Sequence, residues 1–400
     1  MSGELQQLVD NAGRRLGRSV AIDDAKVRLL AYNAHAAEVD AVRVGSILRR
    51  EVPPELVAYI YASGAGTAEG MFVLQPNDDL GVEVARYGMP IRYGETLLGF
   101  VWLLASDGAV GPAQERLMRS AADAAADLLH RGQLRDRLTR ARESELVRDL
   151  LGRAPELRDR AATQLAEEAL LAPGPALVLT VLLTGVTIRE RDRLALAVGT
   201  DRLARRLPRR HAIPLDRPDH SLILVSLHDA ATRADLDTLA EALRERVLRD
   251  SGRAHCWIGL GTARDDPADL HESYTESRRA AEVARAVRTL GSVVRHQDLG
   301  VYALLSELSP ERLQRGLPAG LQALLVCENS NRDALIETLE CFLDYAGDIK
   351  RTTDRLRLHR GSLYYRLRRI EEITGTDLAS GEDRLALHLG LKTLRLLDVR

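Results

Sequence analysis

The chain has 400 residues, a formal net charge of −2, 45% apolar residues and 28% charged residues. That length implies more than one domain, because ordinary domains hold about 100–150 residues. No run of about 18 apolar residues is present, which excludes a membrane-spanning helix.

The N-terminus, MSGELQQLVDNAGRRLG, is polar and mixed in charge, unlike a signal peptide. Its apolar spacing predicts a helix from about Glu4 to Leu16. Two short strands follow, SVAID (19–23) and VRLLAY (27–32). ARYGMPIRY and TLLGFVWLLA form a hairpin that turns at Gly94-Glu95. These elements describe an antiparallel sheet with flanking helices, ending near residue 110. Tyr32, Phe72, Tyr93 and Trp102 are candidate cavity-lining residues there, although aromatics of this kind are more often core.

Gly111-Pro112 opens a long helix that reaches about Gly152. Leu117, Ala121, Ala124 and Leu128 form an apolar seam on it, resumed by Leu134, Leu138 and Ala141. Such a helix pairs with a copy of itself or packs on a neighbouring domain. Beyond Ala172-Pro173-Gly174-Pro175 the order is regular. Strands are expected at 176–183, 211–215, 221–227, 255–263 and 292–296, and helices at 188–206, 230–249 and 267–288. That is a ferredoxin-like arrangement with one extra unit.

From about Ser330 the chain reads as all helix. RDALIETLECFLDYAG places Leu335, Leu339, Phe342 and Leu343 on one side, and Gly347 ends it. Then comes KRTTDRLRLHRGSLYYRLRR (350–369), with eight Lys or Arg and one acid. Ile349, Leu356 and Leu358, then Leu363, Leu367 and Ile370, give a short helix, a turn at 357–359 and a longer helix to Gly375. A last helix runs from Glu382 to Asp398. A short helix, a turn and a longer basic helix make a helix-turn-helix, whose second helix presents its N-terminal residues to base edges. His359 would cap that helix, Arg360 can donate bidentately to guanine, and Gly361 permits close approach. Ser362, Arg366 and Arg369 are candidate phosphate contacts, with Arg351 and Thr352 from the preceding helix. Arg357, Tyr364, Tyr365 and Arg368 complete the expected DNA-binding set. A solvated basic face is the plainer reading of the charge alone, since 53 of the 56 basic residues are arginine.

Leu356, His359-Arg360, Leu363, Tyr365-Arg366-Leu367, Arg369-Ile370, Thr374-Gly375, Asp377-Leu378 and Arg384-Leu385 carry a resemblance. The segment resembles the C-terminal helix-turn-helix of the PucR/CdaR family of bacterial transcriptional regulators, and also the shorter DNA-binding unit of Fis-type proteins. Gly361 stands where the family usually has Asn, and Ser362 where it has Thr. Asp348 replaces an Asn, and Thr353 and Arg355 replace small residues. The middle segment is similar to the family's degenerate GGDEF-like domain through the runs at 259–284 and 295–305. Active diguanylate cyclases carry Gly-Gly-Asp/Glu-Glu-Phe on the hairpin between two central strands. Here that hairpin reads LDRPDHS (215–221), which has no glycine pair, and Asp216 and Asp219 are left as lone hairpin acids. The first segment is similar to GAF-type sensor domains through MPIRYGETLLGFVWLL.

The fold expected is therefore multidomain α+β. It comprises a GAF-like sensor at 1–110, a helical linker at 111–155, a degenerate ferredoxin/GGDEF-like domain at 165–310 and an all-α helix-turn-helix domain at 328–400. The resemblance implies a cytoplasmic regulator that binds double-stranded DNA as a homodimer or higher homo-oligomer. A small-molecule or partner signal would act at its N-terminal domain, with no membrane contact. The alternatives are a nucleotide second-messenger enzyme or binder, and a protein-interaction scaffold. Neither a catalytic residue nor a cofactor is expected. The ten histidines show no HExxH spacing and suggest no metal site. Cys256, Cys327 and Cys341 form no CxxC pair and are expected as reduced, buried thiols. Gly259 and Gly261 lie inside a strand pattern, where close packing is expected rather than a phosphate cradle.

Overall fold

The computed structural model describes residues 2–33, 52–183, 188–228, 230–327 and 331–397. They fall into two compact units, residues 1–141 and 142–400. Among the described residues no helix is long and apolar enough to cross a membrane.

The first unit is built on strands β1 (Val20–Asp24), β2 (Leu29–Tyr32), β3 (Phe72–Leu74), β4 (Arg86–Tyr93) and β5 (Thr96–Leu104), with helices α1 (Ser2–Leu16) and α2 (Pro54–Ala62). The sheet order is β2-β1-β5-β4-β3, every pair antiparallel. Alternate residues face opposite sides of a strand. Val20, Ile22, Met89, Ile91, Val101 and Leu103 therefore share one core with Leu5 and Val9 of α1. Ala21, Leu29, Leu74, Phe100 and Trp102 share another with Leu56 and Ile60 of α2. The hairpin expected at Gly94-Glu95 pairs Tyr93 with Thr96; α2 and β3 carried no periodic signal long enough to place them.

Helix α3 (Pro112–Leu150) is continuous, but its apolar seam is displaced from the expected one. Met118, Ala122, Ala125, Ala126 and Leu129 are buried in the first core, whereas Leu117 and Leu128 lie at its edge. The alanine-rich run offers several overlapping stripes, and the large residues Met118 and Leu129 decide which one faces inward. Leu134 and Leu138 are exposed, at 49% and 65%. Leu146, Val147 and Leu150 pack in the second unit.

The second unit holds a mixed sheet formed by β6 (Ala176–Leu183), β7 (Ala212–Asp216), β8 (Ser221–Ser226), β9 (Cys256–Leu260) and β10 (Val293–Arg295). The order is β10-β9-β6-β8-β7, with only β10 parallel to its neighbour. Every residue of β6 is buried. Leu177, Leu179, Val181 and Leu183 meet α5 (Glu190–Arg206) and α6 (Ala230–Ser251). On the other face lie α4 (Pro155–Glu167) and α7 (Leu270–Ala286). Helix α7 comes very close: a Cβ on Gly259 would sit 1.9 Å from Ser277 O, and one on Gly261 2.0 Å from Ser273 O. The two glycines thus serve helix–sheet packing, as their place in the strand suggested. Asp192 is buried in α5 and forms an ion pair with Arg253; that guanidinium holds its carboxyl down at about 2.

The chain continues through α8 (Val301–Leu305), α9 (Pro310–Arg315), α10 (Ala319–Val326), α11 (Arg332–Asp344), α12 (Ile349–Leu356), α13 (Arg360–Thr374) and α14 (Gly381–Leu396). Helices α10 to α14 share one core, in which Leu321 and Leu324 of α10 are fully buried beside Leu363 and Leu339. Helix α10 lies before the expected start of this region. Its eight residues are too few, and too apolar on every side, to show a helical period.

Candidate nucleic-acid interface

Helix α13 is held from behind. Leu363, Leu367 and Ile370 recur at i, i+4 and i+7 and are buried against Leu335, Leu339, Phe342 and Leu343 of α11. That spacing commits one stripe of the helix inward and turns the rest outward. Its start is set by the chain itself. Arg357 adopts a left-handed conformation (φ 53°) and ends α12. His359 is extended and caps α13, its Nδ1 accepting from Gly361 N–H at 3.3 Å. Helix α12 begins on Asp348, whose Oδ1 accepts from Arg351 N–H at 2.9 Å. Asp stands here in place of the family's Asn and fills the N-cap, a position both residue types favour. Gly375, at φ 66°, ends α13.

The outward set is then open to solvent. Arg357, His359, Arg360, Gly361, Ser362, Arg368 and Arg369 are exposed, as are Tyr364 at 56% and Tyr365 at 73%. Arg369 is bonded to Glu372 at 2.8 Å. Among the described residues no carboxylate pairs with Arg357, Arg360 or Arg368. Arg351 is exposed and lies over the Tyr345 ring, 4.4 Å from its centroid. The cation–π contact restrains the guanidinium and leaves its edge N–H groups free to donate.

Two expected contacts are placed otherwise. Thr352 is fully buried, and its hydroxyl donates to Asp348 O at 2.6 Å, so it holds the first turn of α12 from inside. The polar run RTTD hid this, because threonine satisfies its hydroxyl within a helix and then behaves as a small apolar residue. Arg366 is half-buried and donates through Nη1 to Thr338 Oγ1 at 3.1 Å, which ties α13 to α11. Sequence reasoning did not mark Thr338, Tyr345 or Asp344. Asp344 accepts from Lys392 at 2.7 Å and faces His388 at 2.9 Å, joining α11 to α14. The links through Thr338 and Asp344 connect residues 28 to 48 apart in sequence, beyond any local period.

The 215–221 hairpin is built in the opposite way. His220 is buried, with Nδ1 at 2.8 Å from Asp219 Oδ1 and Nε2 at 3.0 Å from the Tyr274 hydroxyl. Ser221 Oγ donates to Asp216 Oδ1 at 2.6 Å. Both hairpin acids are therefore engaged within the domain, and the turn is fastened to α7. Burial pushes the His220 imidazole below its ordinary pKa, against the pull of Asp219. Cys256 is buried in the sheet, and desolvation raises its thiol to about 12, which leaves no reactive thiolate. Cys327 and Cys341 are free and only half-buried.

In the first unit the four aromatics do not surround one space. Tyr32 and Tyr93 are exposed, and Tyr93 stacks on His130 at 3.7 Å. Phe72 and Trp102 meet edge to face at 5.5 Å inside the core.

Comparison with known proteins agrees with this geometry. Residues 335–393 match the PucR C-terminal helix-turn-helix domain, and residues 80–283, just over half of the chain, match the GGDEF-like domain. The chain belongs to the PucR/CdaR family of transcriptional regulators. The DNA-binding transcriptional activator AdeR of Bacillus subtilis (strain 168) is 22% identical over 99% of this regulator and 94% of its own length. The proline-responsive transcriptional activator PutR of the same organism is 20% identical over 98% and 97%. The carbohydrate diacid regulator of Escherichia coli (strain K12) is 28% identical over 38% of this chain and 41% of its own. The matched helix-turn-helix contains all of α12 and α13, so the exposed set of this regulator lies where the family model places its DNA-binding unit.

Proposed function

We propose that this transcriptional regulator binds double-stranded DNA in a sequence-dependent way, with α13 in the major groove. The observation that carries this reading is the first turn of α13. It presents Arg360, Gly361 and Ser362 outward and exposed, with no side-chain ion pair on Arg360 among the described residues, on a helix whose opposite stripe is locked in a core. Arg360 reads a guanine edge, Ser362 and Arg351 contact phosphates, and Tyr364, Tyr365, Arg357 and Arg368 line the groove walls. Arg366 supports α13 instead of touching DNA. The regulator acts as a homodimer whose two helices read half-sites about 34 Å apart. Its relatives' names supply the rest: AdeR is a DNA-binding activator and PutR responds to proline, which favours a small-molecule effector here. We place the sensor at 1–110 as a GAF-like domain, a connecting helix at 111–155, the GGDEF-like domain at 165–310 and the DNA-binding domain at 328–400, extended back over α10. The GGDEF-like domain then acts as a relay without cyclase chemistry, in a cytoplasmic protein.

An electrophoretic shift with the DNA upstream of its own coding region tests this. Affinity should fall steeply between low and moderate salt, because each arginine–phosphate contact releases counterions. Equal affinity for upstream and random DNA at every salt concentration would overturn it. Turnover of GTP with Mg²⁺ would overturn the non-enzymatic reading of the GGDEF-like domain.

A further inference from the structure

The two runs that carry the likeness to a GGDEF-like domain, 259–284 and 295–305, are not accounted for by DNA binding or by the 215–221 hairpin. They converge at the far end of the sheet. β6 starts there, pairing Ala176 with Ser226 at the end of β8, whereas the 215–221 hairpin lies beside Val181. A cavity of about 300 Å³ opens at this end. Leu177, Leu227 and Leu236 form its apolar side, and Thr262, Arg295, His296 and Gln297 its polar side.

The polar side is chemically one-signed. Among the described residues that line it, Arg295 brings the single full charge and no carboxylate is present. Asp237 accepts from Arg295 Nη2 at 2.7 Å, which aims the guanidinium while leaving its other N–H groups available. The nearby acid Glu276 does not line the cavity: Oε1 takes Arg264 at 2.7 Å and lies 3.9 Å from His296 Nδ1, and Oε2 accepts from Thr262 N–H at 2.7 Å. Nε2 of His296 is buried and has no partner among the described residues. Such an atom is costly unless something bonds to it.

The frame is rigid. Gly261 is pressed on Ser273, its N–H donates to Val178 O at 2.9 Å, and Arg264 bridges back to Ala176. A larger cavity, about 540 Å³ between α11 and α14, lacks this character, because the acids Asp333, Glu337 and Glu340 line it beside Arg332 and Arg395.

We propose that this cavity of the GGDEF-like domain binds a small organic anion, a carboxylate on a short aliphatic body. The carboxylate meets Arg295, His296, Gln297 and the Thr262 hydroxyl, and the body lies on the three leucines. The residues that would sense it continue directly into the DNA-binding region. His296 and Gln297 stand in a single turn (His296–Leu299) that runs into α8, where Tyr302 is buried beside Arg395 of α14. Leu396 and Leu397 pack on the same cluster. This site is separate from the sensor at the N-terminus and does not depend on how α13 reads DNA.

The test is thermal unfolding of the full chain with propionate, butyrate, valerate and hexanoate, and with butylamine as the cationic control. Butyrate or valerate should raise the midpoint by about 2–4 °C at tenfold excess over its Kd, and butylamine should not. Arg295→Gln should weaken the carboxylate at least tenfold. Ala263→Phe, which fills the cavity from an exposed backbone position, should abolish the shift while the variant unfolds at its own unliganded midpoint. If Ala263→Phe does not fold, Arg295→Gln decides alone. No shift with any of the four carboxylates, or the same shift in wild type and Arg295→Gln, would overturn the proposal.

Discussion

Two polar turns, 215–221 and 358–362, hold comparable positions in their domains. Each joins two elements whose apolar faces are buried, and each is where the resemblance implies the binding turn of its domain type. Their side chains behave in opposite ways. In the first, Asp216, Asp219 and His220 are bonded to Ser221, Arg278 and Tyr274 of the same domain. In the second, Arg360 and Ser362 are exposed, and among the described residues the only side-chain bond within the turn is the His359 cap. A polar group with a protein partner supports the fold, and one held outward by a rigid neighbour is available to a ligand. Composition does not separate the two turns, since each carries an arginine, a histidine and a serine. Partners do.

The comparison breaks first if the rigidity behind α13 is removed. Leu363 is fully buried at the centre of the helical core. Leu363→Ala should destabilise the DNA-binding region by about 2–5 kcal/mol, from lost burial plus the cavity left behind. Chemical denaturation would measure it, and DNA affinity should fall on every sequence. A loss of affinity without a loss of stability would mean that Leu363 itself faces DNA.

The outward set should respond differently. Arg360→Ala should lower affinity for cognate DNA by about 1–3 kcal/mol with little effect on random DNA. Arg351→Ala should weaken both alike and reduce the salt slope by about 1. Competition shifts with the two DNAs separate these cases. An equal loss on both DNAs for Arg360 would move it to the phosphate class. Arg366→Ala should act through stability instead, by about 0.5–1.5 kcal/mol, the usual worth of one hydrogen bond.

Much of this arrangement was legible in the sequence. Strands read from apolar alternation or from short buried runs, and helices with a clear apolar stripe, fell close to their expected limits: β4 and β5 with their hairpin, β6 to β10, and α11 to α13. The leucine spacing at 356, 358, 363 and 367 placed the turn and the helix cap. What sequence missed has a common cause. Thr352 and Arg366 look like surface residues, and their inward roles depend on where α11 lies. The seam of α3 was displaced because alanines give no contrast between faces. Helix α10 is too short to show a period. The cavity beside Arg295 brings together the starts and ends of strands 176–297, which only the sheet order makes neighbours.

The smallest effect expected concerns the inward-turned hairpin. His220 lies between the Asp219 carboxylate and the Tyr274 hydroxyl, with Arg217 and Arg278 as the nearby cations. Burial is the largest influence on the imidazole and holds its pKa below the ordinary 6.5, outweighing Asp219. The folded domain therefore binds fewer protons at His220 than the unfolded chain does just below pH 6.5. By linkage, its contribution to stability is complete above 6.5 and declines as pH falls from 6.5 toward the lowered folded value. Wild type should lose stability on acidification through pH 6. His220→Phe, which keeps the ring volume without the titration, should show a flatter profile over that range and a lower plateau at pH 8, where the two hydrogen bonds are missing. The plateau difference should be about 1–2 kcal/mol. Parallel profiles for the two proteins would place the acid sensitivity elsewhere. DNA affinity at pH 8 should be the same in both, because the 215–221 turn keeps its polar groups to itself and the 358–362 turn does not.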